Sequence, residues 1–407
     1  MVRFLHTADW QIGMTRRFLE PEAQSRFTSA RADVIRTLGR VAADQGCAFV
    51  VVCGDVFESN HLTGQTVRRA LEALRSVPVP VYLLPGNHDP LDAASIFRSD
   101  LFLAEVPDHV HVLDHPGVHR LADGVELVAA PWTSKHPGRD LVAEAVQALP
   151  EGPAPDGVTR VVVGHGGVDD FDPQWRDHAT IRTGVLAEAL DGGRIHYVAL
   201  GDRHSRTAVA GRDDIYYAGT PEPTRETEIA PGEVLVVDVD IDAGPGADPG
   251  VRYARVQVTP HPVASWSFRV MDRQVDTDAD LDALDAELAA VPDKDRAVVF
   301  LNLRGTLGVA QHARLEVLRE RHRDHLGALV ERDQHREVVV VSDQQEWGEL
   351  GLGGFLGSAV DEIRVDAEQA TGEPAPQDEP FVAGRPDDGD SARDALSLLY
   401  RLSRSAS

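Results

Sequence analysis

Runs of apolar and β-branched residues alternate with short polar loops through the first half of the chain. Six of these runs predict buried strands, and each is followed by a loop that contains Asp, Asn, His or Glu. Because open α/β sheets bind ligands at the carboxyl ends of their strands, we expect the six loops to meet at one rim. The strands are predicted at residues 2–7, 49–53, 79–84, 161–163, 196–200 and 215–217, and the loops at 9–11, 54–55, 86–89, 164–167, 202–204 and 219–222.

These loops contain the ligand types that a pair of divalent ions requires. Two ions roughly 3.5–4 Å apart need a shared carboxylate, further carboxylate, amide and imidazole ligands, and open positions for a water and a phosphate oxygen. We expect Asp55 to bridge the ions, because it follows a strand at the middle of the rim. The other predicted ligands are Asp9 and His204 for one ion, and Asn87, His165 and Asp202 for the second.

His88 and Trp10 stand beside predicted ligands without having to bind metal themselves. Imidazoles are common acids and bases in catalysis, so we expect His88 to protonate the leaving oxygen or to stabilise the charged transition state. Trp10 is either a platform for a terminal base or a structural residue of the rim. A single loop of this kind is typical of an ordinary turn, but six of them at strand ends favour a site.

The whole motif set resembles the calcineurin-like metallophosphoesterases, and within them the SbcD-type DNA repair exonucleases. Residues 4–13 (FLHTADWQIG) are similar to the first motif of that branch, and residues 54–57 and 219–222 match later ones. The resemblance covers about residues 1–262 by motif and the rest by domain order. It implies an α/β (α+β) fold, a four-layer β-sandwich flanked by helices with a small α/β capping domain. It also implies two metal ions, DNA as substrate and an SMC-like coiled-coil ATPase of the SbcC type as partner.

Two positions depart from the family pattern. The family normally has His where this chain has Gln11, and its His-x-His motif is Asp202-Arg203-His204 here. Gln11 is expected either to ligate weakly through its carbonyl oxygen or to hydrogen-bond a metal-bound water. Asp202 makes the site richer in oxygen, so we expect Mn²⁺, with Mg²⁺ as second choice, rather than Zn²⁺. Loss of one ion, leaving a mononuclear or inactive site, is the rival outcome.

The net charge is awkward for a DNA enzyme, although local charge can differ from the total. The 407 residues carry 66 acidic and 40 basic side chains, a net charge of -26, whereas phosphate neutralisation supplies most non-specific DNA affinity. One interpretation is that arginines near the first two loops line a DNA path, with Arg16 and Arg17 contacting phosphate. The alternative is that they are solvated residues of helix faces. The arginines concerned are Arg16, Arg17, Arg26, Arg31, Arg68 and Arg69.

The remaining chain divides into four predicted parts. Residues 1–262 form the metallophosphoesterase (nuclease) domain, in which segments 232–241 and 251–258 are predicted to form a hairpin that closes the second sheet of the sandwich. Residues 263–367 follow a β-α-β-α-β pattern without a ligand cluster, and the resemblance implies that they form the capping domain. Residues 368–390 are predicted to be an acidic flexible linker.

The last predicted part, residues 391–407, is an amphipathic helix that begins with the capping box Ser391 and Asp394. This helix either docks back on the nuclease or binds a partner. We favour the partner, because in the resembling family such helices grip the ATPase coiled coil.

The first strand, the absence of a long apolar stretch and the cysteine content bear on localisation. A strand with a metal ligand occupies the first ten residues, so we expect no signal peptide, and no apolar stretch reaches the roughly 20 residues of a membrane span. The two cysteines, Cys47 and Cys53, favour a reducing cytoplasm over a disulfide framework. We expect no membrane partner, and the family resemblance allows a homodimer.

Three classes of function remain open from the sequence. The preferred one is a DNA exonuclease or endonuclease subunit of a repair complex, supported by the first motif and the domain order. The second is a small-substrate phosphodiesterase or phosphatase on the same metals, supported by the acidic composition. The third is a weakly active scaffold that regulates an ATPase, supported by Gln11 and Asp202.

Overall fold

The chain is divided into two compact units in the computed structural model, Met1–Phe268 and Arg269–Ser407. The structure describes residues 1–171, 179–242, 253–331 and 336–341, together with positions 358, 359, 362, 363, 365 and 395. The predicted linker at 368–390 lies outside these residues, as does the predicted C-terminal helix apart from Ala395.

The first unit contains twelve of the described strands and five of the described α-helices. Its helices are α1 (Pro21–Asp44), α2 (Gly64–Leu74), α3 (Asp100–Glu105), α4 (Leu141–Gln147) and α5 (Thr183–Asp191). Its strands are β1 (Val2–Thr7), β2 (Val50–Cys53), β3 (Val81–Leu84), β4 (Val110–Val112), β5 (Gly117–Arg120), β6 (Val125–Ala129), β7 (Thr159–His165), β8 (Tyr197–Gly201), β9 (Thr207–Ala208), β10 (Ile215–Tyr217), β11 (Glu233–Asp242) and β12 (Tyr253–Pro262). Two 3₁₀ turns lie at Ile96–Arg98 and Ala122–Gly124.

Two six-stranded sheets form the centre of this unit. The first has the order β12-β11-β1-β2-β3-β4 and the second the order β5-β6-β7-β8-β10-β9. The strands β1 to β4 are parallel to one another, and so are β6, β7, β8 and β10. Their carboxyl ends carry the predicted loops. All six predicted strands are present.

Three hydrophobic clusters show why the sheets are stacked. One cluster packs the first sheet against α1, α2 and α3, a second lies between the sheets, and a third packs the second sheet against α4 and α5. Both sheets are therefore covered on both faces, which explains why their parallel strands are continuously apolar. The resulting order of helix, sheet, sheet and helix layers confirms the predicted four-layer α/β sandwich.

The hairpin β11–β12 does not close the second sheet, so that prediction is wrong. β11 pairs antiparallel with β1 in the first sheet, and Arg3 faces Asp238 there with a 2.7 Å ion pair. Alternate residues of β11 are buried on opposite faces: Val236 packs towards the helices, and Val237 packs between the sheets. A strand that is apolar on both faces belongs inside this sheet, and the sequence pattern did not distinguish the two sheets.

Local signals fix where the helices begin. Pro21 occupies the first turn of α1, where its missing N–H costs nothing. The Thr63 side chain accepts the N–H of Thr66 at 3.3 Å at the start of α2. Asp140 caps α4 through the N–H of Ala143 at 2.8 Å. None of the helices in the described ranges has the length and apolar character needed to span a bilayer.

The second unit has the β-α-β-α-β order expected for it and adds one short strand. Its described elements are β13 (Ser267–Gln274), α6 (Asp278–Ala289), the 3₁₀ turn Lys294–Arg296, β14 (Ala297–Gly308), α7 (Val309–Arg323), β15 (Ala328–Val330) and β16 (Arg336–Val341). Thr277 and Asp280 form a capping box for α6. β14 pairs in parallel with both β15 and β16. The leucines of α6 and α7 pack with β14 in a core of their own.

Candidate metal centre

Three buried side chains bring ligand atoms together where the strands end. Asp9 follows β1, Asp55 follows β2, and His165 is the last residue of β7. One ligand atom from each lies within 4.8 Å of the others, and all three side chains are buried. Parallel strands in two sheets deliver them to one place, because the carboxyl ends of such strands share an edge. Two carboxylates and an imidazole in a buried cluster are a suitable start for a cation site.

Asp55 is held at the centre by backbone geometry. Gly54 has φ +89° and Asp55 itself φ +54°, so the chain reverses sharply after β2. The N–H of His88 donates to Asp55 Oδ1 at 3.0 Å, and His165 Nε2 lies 3.4 Å from the same oxygen. Burial would raise the pKa of Asp55, but the charge and hydrogen bond of His165 lower it overall. The lowered pKa favours the ionised carboxylate, which is the form that can bind a cation.

Asp9 presents both carboxylate oxygens to the cluster. The backbone N–H of Asp202 lies 3.1 Å from each oxygen, and the Thr220 hydroxyl donates to the Asp9 carbonyl at 2.9 Å. His204 Nε2 is 4.0 Å from Asp9 Oδ1. Burial raises the pKa of Asp9 to about 6. A cation at this position would favour the ionised form and offset that burial.

His165 is oriented by a backbone carbonyl beneath it. Its Nδ1–H donates to the Cys53 carbonyl at 2.8 Å, so Nε2 faces the cluster and lies 2.7 Å from Asn87 Oδ1. Nε2 is also 3.8 Å from Asp202 Oδ1. Burial would lower the pKa of His165, but the neighbouring carboxylates, Asp55 first, raise it well above its usual value. Asn87 and Asp202 therefore lie on the His165 side of the cluster.

His204 has a pair of oxygen partners that the sequence pattern did not reveal. Its Nδ1 lies 3.0 Å from Glu228 Oε1 and 2.7 Å from Thr224 Oγ1. A carboxylate only accepts, so Nδ1–H donates to Glu228 and Nε2 points towards Asp9. Burial raises the pKa of Glu228, but hydrogen bonds from His204 and Thr224 lower it overall. No distinctive spacing marks Glu228 in the sequence, which is why it was missed.

Gln11 is one of the two positions at which the sequence departs from the pattern of the resembling family. It is buried, its φ is +43°, and its Nε2 lies 3.0 Å from His204 Nε2. Within the described part of the chain, its Oε1 has no hydrogen-bond partner. A buried carbonyl oxygen without a partner is costly unless a cation or water satisfies it. The Gln11 carbonyl oxygen therefore fits a divalent ion, and so does the donor set around it.

The backbone of the rim is strained at the same positions. Four of the seven non-glycine residues with left-handed φ in the described ranges are Asp9, Gln11, Asp55 and Asp202. Such conformations cost energy and persist where the surroundings impose them, commonly at functional sites. The loops are thus shaped to direct side chains inwards.

Glycines make room for these side chains. A Cβ on Gly54 would lie 2.2 Å from His165 Nδ1, and one on Gly86 would lie 2.2 Å from Asp55 Oδ1. A Cβ on Gly201 would lie 1.9 Å from the Cys53 carbonyl oxygen. These three positions therefore exclude any larger residue.

His88 stands at the edge of the cluster. Its Nδ1–H donates to the Glu58 carbonyl at 2.9 Å, which leaves Nε2 3.9 Å from Asp55 Oδ2. The side chain is 38% exposed, so it is open to a substrate. Asp89 supports this loop from below by accepting the N–H groups of Gly86 and Phe57 at 2.7 and 3.0 Å.

Trp10 is a core residue, which corrects one of its two sequence interpretations. Its side chain is 1% exposed, and its indole N–H donates to the Thr7 hydroxyl at 3.0 Å. A base cannot stack on a ring enclosed in this way. Trp10 is buried because other loops fold over it. The sequence pattern does not predict such tertiary contacts.

The six arginines fall into different environments. Arg31 is fully buried and donates to backbone carbonyls, so it cannot line a DNA path. Arg16 is half-buried and donates to the Thr224 carbonyl at 2.9 Å, whereas Arg17 is exposed. Ion pairs join Arg26 to Glu22 and Arg68 to Glu105, and Arg69 is exposed.

Comparison with known families agrees with this arrangement. The family model described as calcineurin-like phosphoesterase matches residues 2–206, half of the chain. The chain belongs to the calcineurin-like phosphoesterase family. The predicted family is thereby confirmed, and the candidate metal centre described above lies in the matched segment, apart from the Thr220, Thr224 and Glu228 supports.

Curated relatives refine the placement within the phosphoesterases. The chain is 35% identical over 98 residues to the protein named as the SbcD subunit of nuclease SbcCD in Bacillus subtilis, covering 23% of this chain and 24% of that one. It is 33% identical over 114 residues to the protein of the same name from Rhodobacter capsulatus, covering 27% and 26%. It is 29% identical over 91 residues to the DNA double-strand break repair protein Mre11 of Archaeoglobus fulgidus, covering 22% and 19%. The matches span about a quarter of the length of these relatives.

Proposed function

We propose that this phosphoesterase is a metal-dependent nuclease that hydrolyses phosphodiester bonds of DNA as part of a repair complex. The observation that carries the proposal is the convergence of Asp9, Asp55 and His165 within 4.8 Å in a chain whose relatives are named as SbcCD nuclease components and as Mre11. Two ions are proposed, Mn²⁺ before Mg²⁺, because carboxylate and amide oxygens dominate the donor set.

The proposed ligand assignment follows the geometry of the rim. Asp9, Gln11 and His204 would hold one ion, Asn87, His165 and Asp202 would hold the other, and Asp55 is the proposed shared ligand. Bound there, the ions would polarise the phosphate and supply a nucleophilic water at neutral pH. The chain's own residues set the geometry: Glu228 orients His204 and the Cys53 carbonyl orients His165, so that Nε2 of each imidazole faces the proposed ion sites.

His88 is the proposed catalytic residue of proton transfer. Its Nδ1–H is fixed on the Glu58 carbonyl, so only Nε2 is directed to the edge of the site. In the protonated form Nε2–H would donate to the leaving oxygen or to a charged phosphate oxygen. Arg16 and Arg17 remain proposed phosphate contacts, with Arg17 the more exposed of the two.

The partners and domain functions are also part of the proposal. An SMC-like coiled-coil ATPase of the SbcC type would bind the C-terminal helix at residues 391–407, residues 263–367 would cap the nuclease domain of 1–262, and residues 368–390 would link cap and helix. A homodimer and a cytoplasmic location complete the proposal. The two cysteines are buried and free, which is compatible with a reducing compartment.

A small-substrate phosphodiesterase is the second candidate function. The net charge of -26 favours it, because extended DNA is repelled by an acidic surface and a small ester is less so. A weakly active scaffold is the third candidate, and it depends on Gln11 and Asp202 weakening the ions' retention.

One assay separates the three candidates. The full chain, loaded with Mn²⁺, is incubated with end-labelled duplex DNA, single-stranded DNA and bis-p-nitrophenyl phosphate, beside Asp55→Asn. Cleavage of DNA that is lost in Asp55→Asn supports the nuclease. Hydrolysis of the small ester alone supports the second candidate, and absence of both activities supports the scaffold.

A further inference from the structure

A cavity of about 470 Å³ opens beside the metal centre on the side of Asn87 and Asp202. These two residues belong both to the proposed ligand set and to the cavity wall. A substrate with its phosphate on the ions would therefore place a neighbouring group inside the cavity. Its volume lies in the range of sites that bind small organic ligands.

The inner wall of the cavity is aromatic, and its polar atoms are already paired. The Tyr217 hydroxyl donates to the Gly166 carbonyl at 2.7 Å, and the Trp132 indole N–H donates to the His165 carbonyl at 2.7 Å. Tyr217 is fully buried, and its ring lies 6.1 Å from the Phe171 ring, so it supports the wall without meeting a ligand. The Trp132 ring is 9% exposed, and with its N–H paired the accessible part of that ring is apolar.

Glycines keep the interior open. Gly166 has φ +130°, and a Cβ built on it would meet the Trp132 ring at 3.4 Å. No heavy atom of the described residues lies within 4 Å of a Cβ built on Gly167. The absence of a side chain at Gly166, beside Trp132, and at Gly167 leaves space for a flat group.

Phe171 and two cations form the outer wall. The Phe171 side chain is 41% exposed, which is unusual for a large apolar residue, and the Arg203 guanidinium lies 4.3 Å from its ring centroid. This cation–π contact holds the ring at the cavity edge. Lys135, one of only two lysines in the sequence, also lines the cavity. Two cations in a chain of net charge -26 select an anionic ligand over a cationic one.

We propose that this cavity binds the nucleobase next to the scissile phosphate, with Phe171 as the stacking surface. This inference rests on the phosphodiester hydrolysis proposed above and specifies the substrate class: an ester whose phosphate is flanked by a flat aromatic group. Stacking on an aromatic side chain tolerates any base, because every base has a π face. Arg203 and Lys135 draw the negatively charged nucleotide to the entrance.

The test compares ligands that differ only in the base. The Mn²⁺-loaded full chain is titrated by calorimetry with deoxyadenosine 5′-monophosphate, deoxyribose 5-phosphate and inorganic phosphate. The expected result is that the nucleotide binds about tenfold or more tightly than deoxyribose 5-phosphate, the gain that one stacked base supplies.

Variants assign that gain to the cavity. Phe171→Ala is expected to remove the tenfold preference while leaving the affinity for inorganic phosphate unchanged, and Phe171→Tyr is expected to retain it. Leu103→Ala, which removes an exposed apolar side chain on α3, is the matched control and should behave as the parent chain. Equal binding of nucleotide and deoxyribose 5-phosphate, or a preference that survives in Phe171→Ala, would overturn the inference.

The two proposals fail in different ways. If DNA is cleaved but no base preference exists, the nuclease stands and the base cavity is refuted. If the preference exists and is lost in Phe171→Ala but DNA is not cleaved, the cavity stands and the substrate is a smaller nucleotide ester. If no phosphate ester binds and DNA is not cleaved, both are overturned.

Discussion

Arg31 hydrogen-bonds two loops of the candidate metal centre. Its replacement therefore tests whether these contacts stabilise the site. Its side chain is fully buried in α1 and has no carboxylate as a hydrogen-bond partner among the described residues. Nε lies 3.1 Å from the Trp10 carbonyl and 3.2 Å from that of Gln11. Nη1 lies 3.2 Å from the Glu222 carbonyl and 3.4 Å from that of Pro223. One guanidinium thus joins the first loop to the last.

The magnitude follows from Nε and Nη1, each shared between two carbonyls, because the third donor, Nη2, makes only a long 3.5 Å contact with the Thr220 hydroxyl. Hydrogen bonds to a charged group contribute about 1.5–3 kcal/mol each, so their loss in Arg31→Met costs about 3–6 kcal/mol. Release of a buried charge offsets part of this, since burial already lowers the pKa of Arg31 to about 10. We expect a net destabilisation of about 3 kcal/mol. Mn²⁺ binding should also weaken, because the Gln11 loop loses its anchor.

Urea unfolding followed by tryptophan fluorescence, with and without Mn²⁺, measures both effects. Arg36→Met is the matched control, because Arg36 lies on the same helix in an exposed pair with Asp33 and should change stability by less than about 0.5 kcal/mol. Arg31→Lys keeps the charge but cannot contact both loops, so it should fall between the two. A destabilisation below about 1 kcal/mol in Arg31→Met would show that the loops are held by something else.

Three further predictions concern the site and the core. Glu228→Gln keeps the shape but weakens the acceptor of the His204 Nδ1–H bond, so Mn²⁺ affinity should fall about 10–100-fold in a calorimetric titration; unchanged affinity would dismiss Glu228 as a positioning residue. Gly54→Ala places a methyl group 2.2 Å from His165 Nδ1 at φ +89°, so it should abolish Mn²⁺ binding and lower the melting temperature, whereas normal metal content by elemental analysis would contradict the packing. Burial lowers the pKa of His6 to about 3, below its unfolded value of about 6.5, so its contribution is intact above pH 6.5 and decreases as pH falls towards 3. Between about pH 7.5 and 5 this group alone should reduce stability by about 2 kcal/mol, and His6→Asn should have a correspondingly flatter pH dependence in urea unfolding; an identical slope would refute a neutral buried imidazole.

The sequence predicted the rim because strand and ligand signals coincide there. Apolar runs such as residues 49–53 end directly before the Gly54-Asp55 loop, and parallel strands bring such ends together whatever the loops contain. The same argument could not place β11, since a strand that is apolar on both faces is compatible with either sheet. Burial of Trp10 and Arg31 was likewise invisible, because both depend on how distant loops fold over them.

The site residues that were missed share a physical reason. Glu228 acts on His204 across 24 positions, and its partner Thr224 lies in an irregular segment without a strand or helix period. The cavity wall combines Trp132, Phe171 and Tyr217, which are separated in sequence and unremarkable one by one. Hydrogen bonds and cavities between distant segments have no periodic signature in a single sequence, whereas metal ligands at strand ends do.

The left-handed backbone at four site residues links the stability of the fold to ion binding. These residues are Asp9, Gln11, Asp55 and Asp202. Each such residue costs about 1–2 kcal/mol relative to relaxed backbone. An ion that binds only the folded chain returns about 2.7 kcal/mol when its free concentration is about a hundred times its dissociation constant. The melting temperature of this protein should therefore rise with the free concentration of a divalent ion that binds the site.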